Sequence, residues 1–369
     1  MLKKGIVLNL RVPEGYRISV AAEGLRRLRF LAKSPDGRLF ATDMHSLDDN
    51  RRGRIYLFED WDNSAKRFRK TTVFADSLRN PNQVMFYNDK GKHYIYVAET
   101  DRLSRYVYSP GDRALSGQPQ VLTRFPDYGL SYKYGGWHLT RSLAQHGGKI
   151  YVSVGSSCNA CIEKESVRAT VIEMNPDGSG QRIYASGLRN SVGIRWVNDK
   201  LWATFMGRDG IGPDKPEDLF GTITAGRHHG WPFYFQYRQR IYSDNSMMDS
   251  AKKRGIKVPP SPPLAWCGFR AHSAPLGFDY FSGFDDPLLK DHFLVALHGS
   301  TSVWRQRGNA VVLLTGKDKY VPVVDGFLTG KQERERAGRP CDVMMNDRCS
   351  FFVTDDKNGV LYYVSRCRM

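Results

Sequence analysis

Residues 142–155 read SLAQHGGKIYVSVG, and this stretch shows the unit from which the chain is built. A short apolar segment leads to a Gly-Gly pair, and a second segment, KIYVSV, alternates apolar and polar residues. Glycines supply the positive φ angles that tight hairpin turns require. Alternation with a period of two is typical of a β-strand with one buried face. The stretch therefore predicts a β-hairpin.

Five other segments have the same plan, with a turn built on Asp, Asn or Gly between two strands. They are FLAKSPDGRLFATD (30–43), QVMFYNDKGKHYIYVAE (83–99), GIRWVNDKLWATFMG (193–207), LGFDYFSGFDDPLLKDHFLVALHG (276–299) and DVMMNDRCSFFVTD (342–355). The second strands end near 43, 99, 155, 207, 299 and 355, which gives intervals of 56, 56, 52, 92 and 56 residues. Internal repeats of this length indicate an array of similar units.

Six units of this kind predict an all-β fold, a six-bladed β-propeller, because each unit alone cannot bury its faces. A pair of β-sandwiches is the alternative, and the near-equal periods favour the propeller. Further strands at 53–59, 104–109, 170–174 and 359–365 complete the blades. We expect one domain over residues 1–369, with a long loop insertion at about 210–275 that explains the one long interval. No segment combines clear helix caps with a 3.6-residue period, so no helix is predicted.

The composition limits the function. The net charge of +17 favours anionic ligands, but the basic residues are dispersed and no nucleic-acid-binding motif is present, so we expect no nucleic-acid partner. No apolar run is long enough to span a membrane. The segment MLKKGIVLNLRVPEGY has too short an apolar run for a signal peptide, which indicates a cytosolic chain or one whose leader was removed.

Six cysteines are present, and Cys158 and Cys161 form the one Cys-x-x-Cys pair. A zinc site of the usual kind needs two such pairs. The loop also lacks the βαβ context of a thioredoxin site. A structural disulfide is the favoured interpretation, a redox pair and two free thiols being the alternatives.

Equivalent strand ends in different blades converge on the propeller axis, so polar residues at these positions are site candidates. They are Arg29, Asn82, His138, Arg189, Asn190, His272, His298, Arg339 and Asp342. Several arginines and histidines together predict a basic pocket that suits an anionic ligand. Separately, the loop MGRDGIGPDKPEDL (206–219) combines four carboxylates with glycines and prolines, which favours Ca²⁺.

The chain resembles the soluble, quinoprotein glucose/sorbosone dehydrogenase family over nearly its whole length. The motifs that carry the likeness are GGWHLTRSL, VGSSCNAC, MNPDGSG, ASGLRNSVG, GRDGIGPDKPEDL, GRHHGWP, HSAPLGF, ALHGS and GRPCDV. The resemblance implies a six-bladed propeller that binds pyrroloquinoline quinone (PQQ) and Ca²⁺ and oxidises an aldose or sorbosone-type sugar, passing electrons to an external acceptor. It also implies a periplasmic or secreted protein, with the Cys-x-x-Cys pair as a staple beside the site.

The resemblance assigns roles to single residues. His138 matches the general base that takes a proton from the sugar as hydride passes to the quinone. Arg189, Asn190, His272, His298 and Arg339 match the cofactor pocket. The calcium region corresponds to Gly207, Arg208, Glu217 and Asp218, with main-chain carbonyls among the ligands.

The sequence departs from the family pattern at Ser191, at Cys341 and after His298. Two other functions are alternatives for a six-bladed propeller. A lactonase-like hydrolase would need Glu, Asn and Asp side chains on the axis, where this chain offers His and Arg. A non-catalytic propeller could use its basic face to bind an anionic or carbohydrate ligand.

Overall fold

The computed structural model describes residues 2, 5–127, 138–300, 307–329 and 335–366. These residues form six four-stranded antiparallel sheets and two small hairpins. The prediction of an all-β, six-bladed propeller is confirmed. Residues 135–137 of the GGWHLTRSL motif, residues 301–306 after ALHGS, and Cys367 lie outside the described residues.

The strands follow one another around the ring in chain order. The first strand is β1 (Tyr16–Ala22). Blade 1 contains β2 (Leu28–Lys33), β3 (Leu39–Asp43), β4 (Gly53–Asp62) and β5 (Arg67–Leu78). Blade 2 contains β6 (Gln83–Asp89), β7 (Lys92–Ala98), β8 (Arg102–Val107) and β9 (Gln120–Arg124). Blade 3 contains β10 (Arg141–His146), β11 (Lys149–Val154), β12 (Thr170–Met174) and β13 (Arg182–Ser186).

Blade 4 is interrupted before its outer strand. It contains β14 (Ile194–Val197), β15 (Lys200–Phe205) and β16 (Asp218–Ile223), then the hairpin β17 (Tyr234–Tyr237) and β18 (Arg240–Ser243), the helix α1 (Asn245–Lys253), and finally β19 (Cys267–Phe269). Blade 5 contains β20 (Pro275–Tyr280), β21 (Phe293–Leu297), β22 (Ala310–Gly316) and β23 (Lys319–Val324). A short hairpin, β24 (Leu328–Thr329) and β25 (Glu335–Arg336), precedes blade 6, which contains β26 (Pro340–Asp347), β27 (Ser350–Asp355) and β28 (Val360–Arg366).

The ring closes through both ends of the chain. The innermost strands β2, β6, β10, β14, β20 and β26 each contact the next, and β26 contacts β2. Strand β1 pairs with β28, from Tyr16 opposite Arg366 to Ala22 opposite Leu361, and so supplies the outer strand of blade 6. This pairing covers a strand edge that would otherwise be open, and it joins the first blade to the last.

The core lies between neighbouring blades. Between blades 4 and 5, for example, Phe220, Phe269, Phe278 and Val295 are buried together. Successive side chains of a strand point to opposite faces of the sheet, so strands buried on both faces, such as β21, carry apolar residues at successive positions. The core thus holds the inner strand ends in fixed positions around the axis.

The segment between β16 and β19 contains the one helix of the described residues, so the expectation of no helix was wrong. Helix α1 begins after Asp244, whose side chain accepts a hydrogen bond from the Met247 amide, as an N-cap does. It is nine residues long and buries Met247 and Ala251. A single buried pair is too little to produce a detectable 3.6-residue period. In the part of the chain that the structure describes, no helix is both long and apolar enough to cross a membrane.

Candidate active site

A cavity of about 330 Å³ lies where the inner strand ends of blades 1, 3, 4, 5 and 6 meet; we call it the axial cavity. Nine of the ten residues to which the resemblance assigns a role line it. They are His138, Arg189, Asn190, Gly207, Arg208, Asp218, His272, His298 and Arg339. Arg29 also lines it. The tenth residue, Glu217, faces a neighbouring cavity instead.

His138 precedes β10 and is held by blade 3 itself. Its Nδ1 lies 3.0 Å from the Ser156 carbonyl oxygen. Ser156 Oγ also lies 2.9 Å from Nδ1 and donates its own proton to the Cys158 carbonyl, so both Ser156 oxygens accept from the ring. Nδ1 therefore carries the proton and Nε2 carries the lone pair. Burial and the nearby charge of Arg189 lower the pKa of His138 well below its ordinary value, so the ring is neutral at pH 7. Neutral imidazole with a directed lone pair is the form that accepts a proton.

The backbone at His138 is also unusual. His138 has φ 59°, in the left-handed region that non-glycine residues seldom occupy. It packs closely on Gly155, where an added Cβ would lie 2.5 Å from the His138 Cβ and 2.9 Å from the Asn190 Oδ1. His272 is likewise left-handed, with φ 68°. Strained conformations of this kind cluster at functional sites.

The Cys158–Cys161 pair forms a disulfide, which confirms the predicted staple. Asn159 lies inside this loop and connects three parts of the site. Its carbonyl accepts from Arg189 Nε at 2.9 Å and from Trp231 Nε1 at 3.1 Å. Its side-chain oxygen accepts from Arg189 Nη2 at 2.9 Å and from the Asp209 amide at 2.8 Å, and its Nδ2 donates to the Asp209 carbonyl at 2.9 Å. The disulfide loop thus positions Arg189 and Asp209.

Asp209 joins Arg189 to His272. Its carboxylate lies 3.4 Å from Arg189 Nη2 and 3.1 Å from His272 Nδ1. The hydrogen bond from His272 lowers the pKa of Asp209, and the same bond raises the pKa of His272. The Asp209 side chain is 55% exposed, so this network opens onto the cavity.

The predicted calcium region is held together by Asp218. Its buried carboxylate accepts from the Gly207 amide and from the Ala274 amide, both at 2.8 Å, and burial raises its pKa to about 6. An added Cβ at Gly207 would lie 2.9 Å from the Glu217 carbonyl oxygen, so only glycine fits there. Arg208 donates to Asp244 at 2.5 Å. Glu217 accepts from Gln236 and from the Arg238 amide, away from the axial cavity.

The opposite side of the cavity is a closed cluster around Asp356. This carboxylate is fully buried and lies 2.8 Å from Arg29 Nη1 and 2.8 Å from His298 Nε2. Burial lowers the pKa of His298 to about 4, so at neutral pH a neutral ring donates to Asp356. Arg339 donates to the carbonyls of His298 and Gly299.

Sequence reasoning missed three residues of the site: Ser156, Asn159 and Asp356. Asn159 stands within the quoted VGSSCNAC motif, where the cysteines drew the interpretation. Asp356 follows directly on the sixth repeat, VTD, one position beyond the strand end that the repeat defined. Of the other candidates, Asn82 binds the Arg29 side chain through its Oδ1, and Asp342 accepts from the Leu31 amide in the core beneath the cavity.

The donor set fits the group that the resemblance implies. Four arginines line the axial cavity, and Arg29 and Arg208 are paired with Asp356 and Asp244. Arg339 donates to neutral main-chain carbonyls, so its positive charge favours an anionic ligand. Carboxylate and main-chain oxygens next to Gly207 are hard donors of the kind that Ca²⁺ takes. In the described residues, the close group of metal-ligating side chains is Cys158, Cys161 and Glu163, and its two sulfurs are joined to each other.

Comparison with known proteins agrees with the fold. Residues 85–311 match the model of the family described as Glucose / Sorbosone dehydrogenase. An uncharacterized protein of Borreliella burgdorferi is 24% identical over 379 residues, which span 97% of this chain and 91% of that protein.

Three solved structures illustrate the structural likeness. The holo form of the pyranose dehydrogenase PQQ domain from Coprinopsis cinerea has a TM-score of 0.71 at 17% identity, covering 97% of each chain. The calcium structure of a Trichoderma reesei carbohydrate-active enzyme of family AA12 has a TM-score of 0.73 at 15% identity, covering 99% of this chain and 100% of that one. The apo form of the soluble aldose sugar dehydrogenase of Escherichia coli has a TM-score of 0.63 at 15% identity, covering 95% and 99%. At these identities the likeness concerns the fold.

Proposed function

This chain belongs to the glucose/sorbosone dehydrogenase family, and from that premise we propose that it is a PQQ- and Ca²⁺-dependent dehydrogenase of an aldose or sorbosone-type sugar. Family membership supports sugar dehydrogenase activity in general. The axial cavity supports the finer assignment, because it combines a neutral, positioned histidine with the positive charge of Arg339, which donates to neutral carbonyls.

The cofactor would be held by Arg189, Asn190, His272, His298 and Arg339, and the calcium by oxygens around Gly207, Arg208 and Asp218. Bound PQQ supplies a two-electron acceptor, which the protein's own side chains lack. Glu217 is left out of this set because its carboxylate lies in the wall of the neighbouring cavity. The protein's contribution is to bind, orient and exclude water.

His138 acts as the general base. The observation that carries this role is the 3.0 Å contact between Nδ1 and the Ser156 carbonyl, which leaves the lone pair on Nε2. Because the pKa of His138 lies well below 6.5, the ring stays unprotonated at neutral pH and can take the hydroxyl proton of a bound sugar. Arg189, on the same wall, lowers that pKa further and orients the ligand.

The disulfide supports an oxidising compartment, and we therefore place the protein in the periplasm or outside the cell. An external electron acceptor completes the reaction, because a reduced cofactor must be reoxidised before the next turnover.

The test is reconstitution of the purified chain with PQQ and Ca²⁺, followed by a panel of aldoses and sorbosone with an artificial electron acceptor. We expect acceptor reduction with at least one sugar, and PQQ binding visible by absorbance. His138→Ala should lower kcat by about 10²–10⁴-fold and leave PQQ bound. His146→Ala is the matched control, because His146 ends β10 at the opposite end from His138 and stacks on Trp196. Absence of both PQQ binding and acceptor reduction would refute the proposal.

A further inference from the structure

A second and larger cavity, of about 520 Å³, lies beside the axial cavity. It is formed between blade 4 and the segment that precedes β19, and we call it the blade 4 cavity. The two cavities share five wall residues, which are Arg189, Met206, Gly207, Arg208 and Pro216. A ligand in the blade 4 cavity would therefore lie next to one in the axial cavity.

Six aromatic side chains line the blade 4 cavity. Those that line it are Trp202, Phe205, Trp231, Tyr234, Phe235 and Trp266. Their arrangement is ordered: Phe205 lies parallel to His229, at 6.0 Å and 18°, and Trp202 meets Trp266 edge to face, at 5.9 Å and 87°. All of these rings except the buried Trp231 are partly exposed, and aromatic side chains in a concave site are typical of ligand pockets.

Polar groups stand between the rings. Among the residues that the structure describes, Glu217 accepts from Gln236 and the Arg238 amide at 3.2 and 3.0 Å, and a carboxylate can accept about four hydrogen bonds. Thr222 and Lys200 are exposed and line the same space. A pyranose ring has an apolar C–H face and hydroxyls around its edge, so it matches such a wall. A purely apolar ligand would leave these polar groups unpaired.

We propose that the blade 4 cavity binds a second sugar unit of the substrate, so that the preferred substrate is a disaccharide or longer saccharide whose reacting unit occupies the axial cavity. The inference rests on the proposed function, since it names the substrate class of the same site. Binding energy from the non-reacting unit orients the reacting unit, and it raises kcat/KM for the longer substrate.

The variant Thr222→Trp tests the inference by filling the cavity. Thr222 lies on β16, is exposed, and does not line the axial cavity. The reconstituted protein is assayed with glucose, galactose and xylose against maltose, cellobiose and lactose. In the natural chain we expect at least one disaccharide to have about a 10-fold higher kcat/KM than its monosaccharide. Thr222→Trp should remove that advantage and leave monosaccharide oxidation within about twofold.

A binding measurement separates this inference from the proposed function. Three tryptophans line the cavity, so titrating the protein without PQQ with each disaccharide should change its tryptophan fluorescence, and Thr222→Trp should weaken the apparent affinity. Saturable disaccharide binding without any sugar oxidation would overturn the proposed function alone. Monosaccharide oxidation with no disaccharide preference and no disaccharide binding would overturn the inference alone.

A third measurement tests whether the blade 4 cavity binds the electron acceptor instead of a sugar. If Thr222→Trp raised the KM of the artificial electron acceptor and left the disaccharide constants unchanged, the cavity would be an acceptor site and the inference would be wrong. A fold control accompanies every arm: Thr222→Val keeps the volume of the side chain, and it should retain at least half of the disaccharide advantage.

Discussion

The axial cavity has two sides, and each is built around an aspartate that joins an arginine to a histidine. On the open side, Asp209 joins Arg189 to His272, and its side chain is 55% exposed. On the closed side, Asp356 joins Arg29 to His298, and its side chain has no exposed surface. The same three residue types therefore occur in opposite environments.

The two sides differ in how far their polar groups are already hydrogen-bonded to other protein groups. On the closed side, Arg29 donates to Asn82 and Asp356, and Arg339 donates to two main-chain carbonyls. Arg29 thereby ties blade 1 to blades 2 and 6, and Arg339 ties blade 6 to blade 5. On the open side, the carboxylate of Asp209 faces the cavity. We therefore expect Asp356 to govern stability and Asp209 to govern binding and turnover, although His298 and Arg339 of the closed side also line the cavity.

Asp356→Asn should have the largest effect on stability. Removing the carboxylate charge leaves Arg29 buried without a counter-ion, and breaking a buried pair in this way costs about 3–5 kcal/mol. Urea unfolding followed by tryptophan fluorescence measures the loss. A loss below about 1 kcal/mol would show that the closed side does not hold the ring together.

Asp209→Asn should have a small effect on stability and a larger effect on activity. The exposed pairs of Asp209 contribute at most about 1 kcal/mol to stability. In the reconstituted enzyme, however, Arg189 and His272 would lose the group that orients them, and we expect kcat/KM to fall about 10-fold, which corresponds to about 1.4 kcal/mol. If the variant lost stability as Asp356→Asn does and kept its activity, the division between the two sides would be wrong.

Much of this arrangement could be predicted from the sequence, and the reason is periodicity. The repeated hairpins placed His138, Arg189, His272 and His298 at equivalent strand ends, and equivalent ends of a propeller converge. The pairing of β1 with β28 could not be predicted in this way, because β1 stands alone before the first repeat. Helix α1 has only one buried i, i+4 pair, too short a signal to separate from a loop.

Partnerships between side chains were harder to predict than positions. Asp356 and Arg29 are 327 residues apart in the chain, and their contact depends on ring closure. The role of Asn159 could not be predicted for a different reason, because a single residue between two cysteines forms no sequence pattern. Its role comes from hydrogen bonds to residues up to 72 positions away. A motif search identifies the cysteine pair, but it does not show that the loop positions Arg189 and Asp209.

Asn159→Ala tests whether the disulfide loop belongs to the open side. The change removes the side-chain bonds to Arg189 Nη2 and to the backbone of Asp209, and it keeps the carbonyl contacts. We expect about 1 kcal/mol of lost stability and a severalfold fall in kcat/KM. Asn175→Ala is the control, because Asn175 makes comparable side-chain bonds in a distant turn of blade 3. Equal kinetic effects in the two variants would remove Asn159 from the site.

The smallest predicted effect is a pH dependence of stability that separates the two sides by its sign. On the open side, Asp209 raises the pKa of His272 in the folded protein. The stability that protonated His272 contributes is therefore fully present below its unfolded pKa of about 6.5, and it is lost as the pH rises through the higher folded pKa. The lowered pKa of Asp209 gives a contribution that is lost only as the pH falls through the folded pKa of Asp209, below its ordinary value. Their pair therefore stabilises most in mildly acid solution, by less than about 1 kcal/mol.

On the closed side the sign reverses, because burial lowers the pKa of His298 to about 4 and stability falls as the pH drops from about 6.5 toward 4. Urea unfolding between pH 4.5 and 9 should therefore show that the stability difference between the natural chain and Asp209→Asn is larger near pH 5.5 than at pH 9. A difference that grew toward pH 9 would mean that Asp209 does not stabilise protonated His272. The open side would then be held by Arg189 and Asn159 alone.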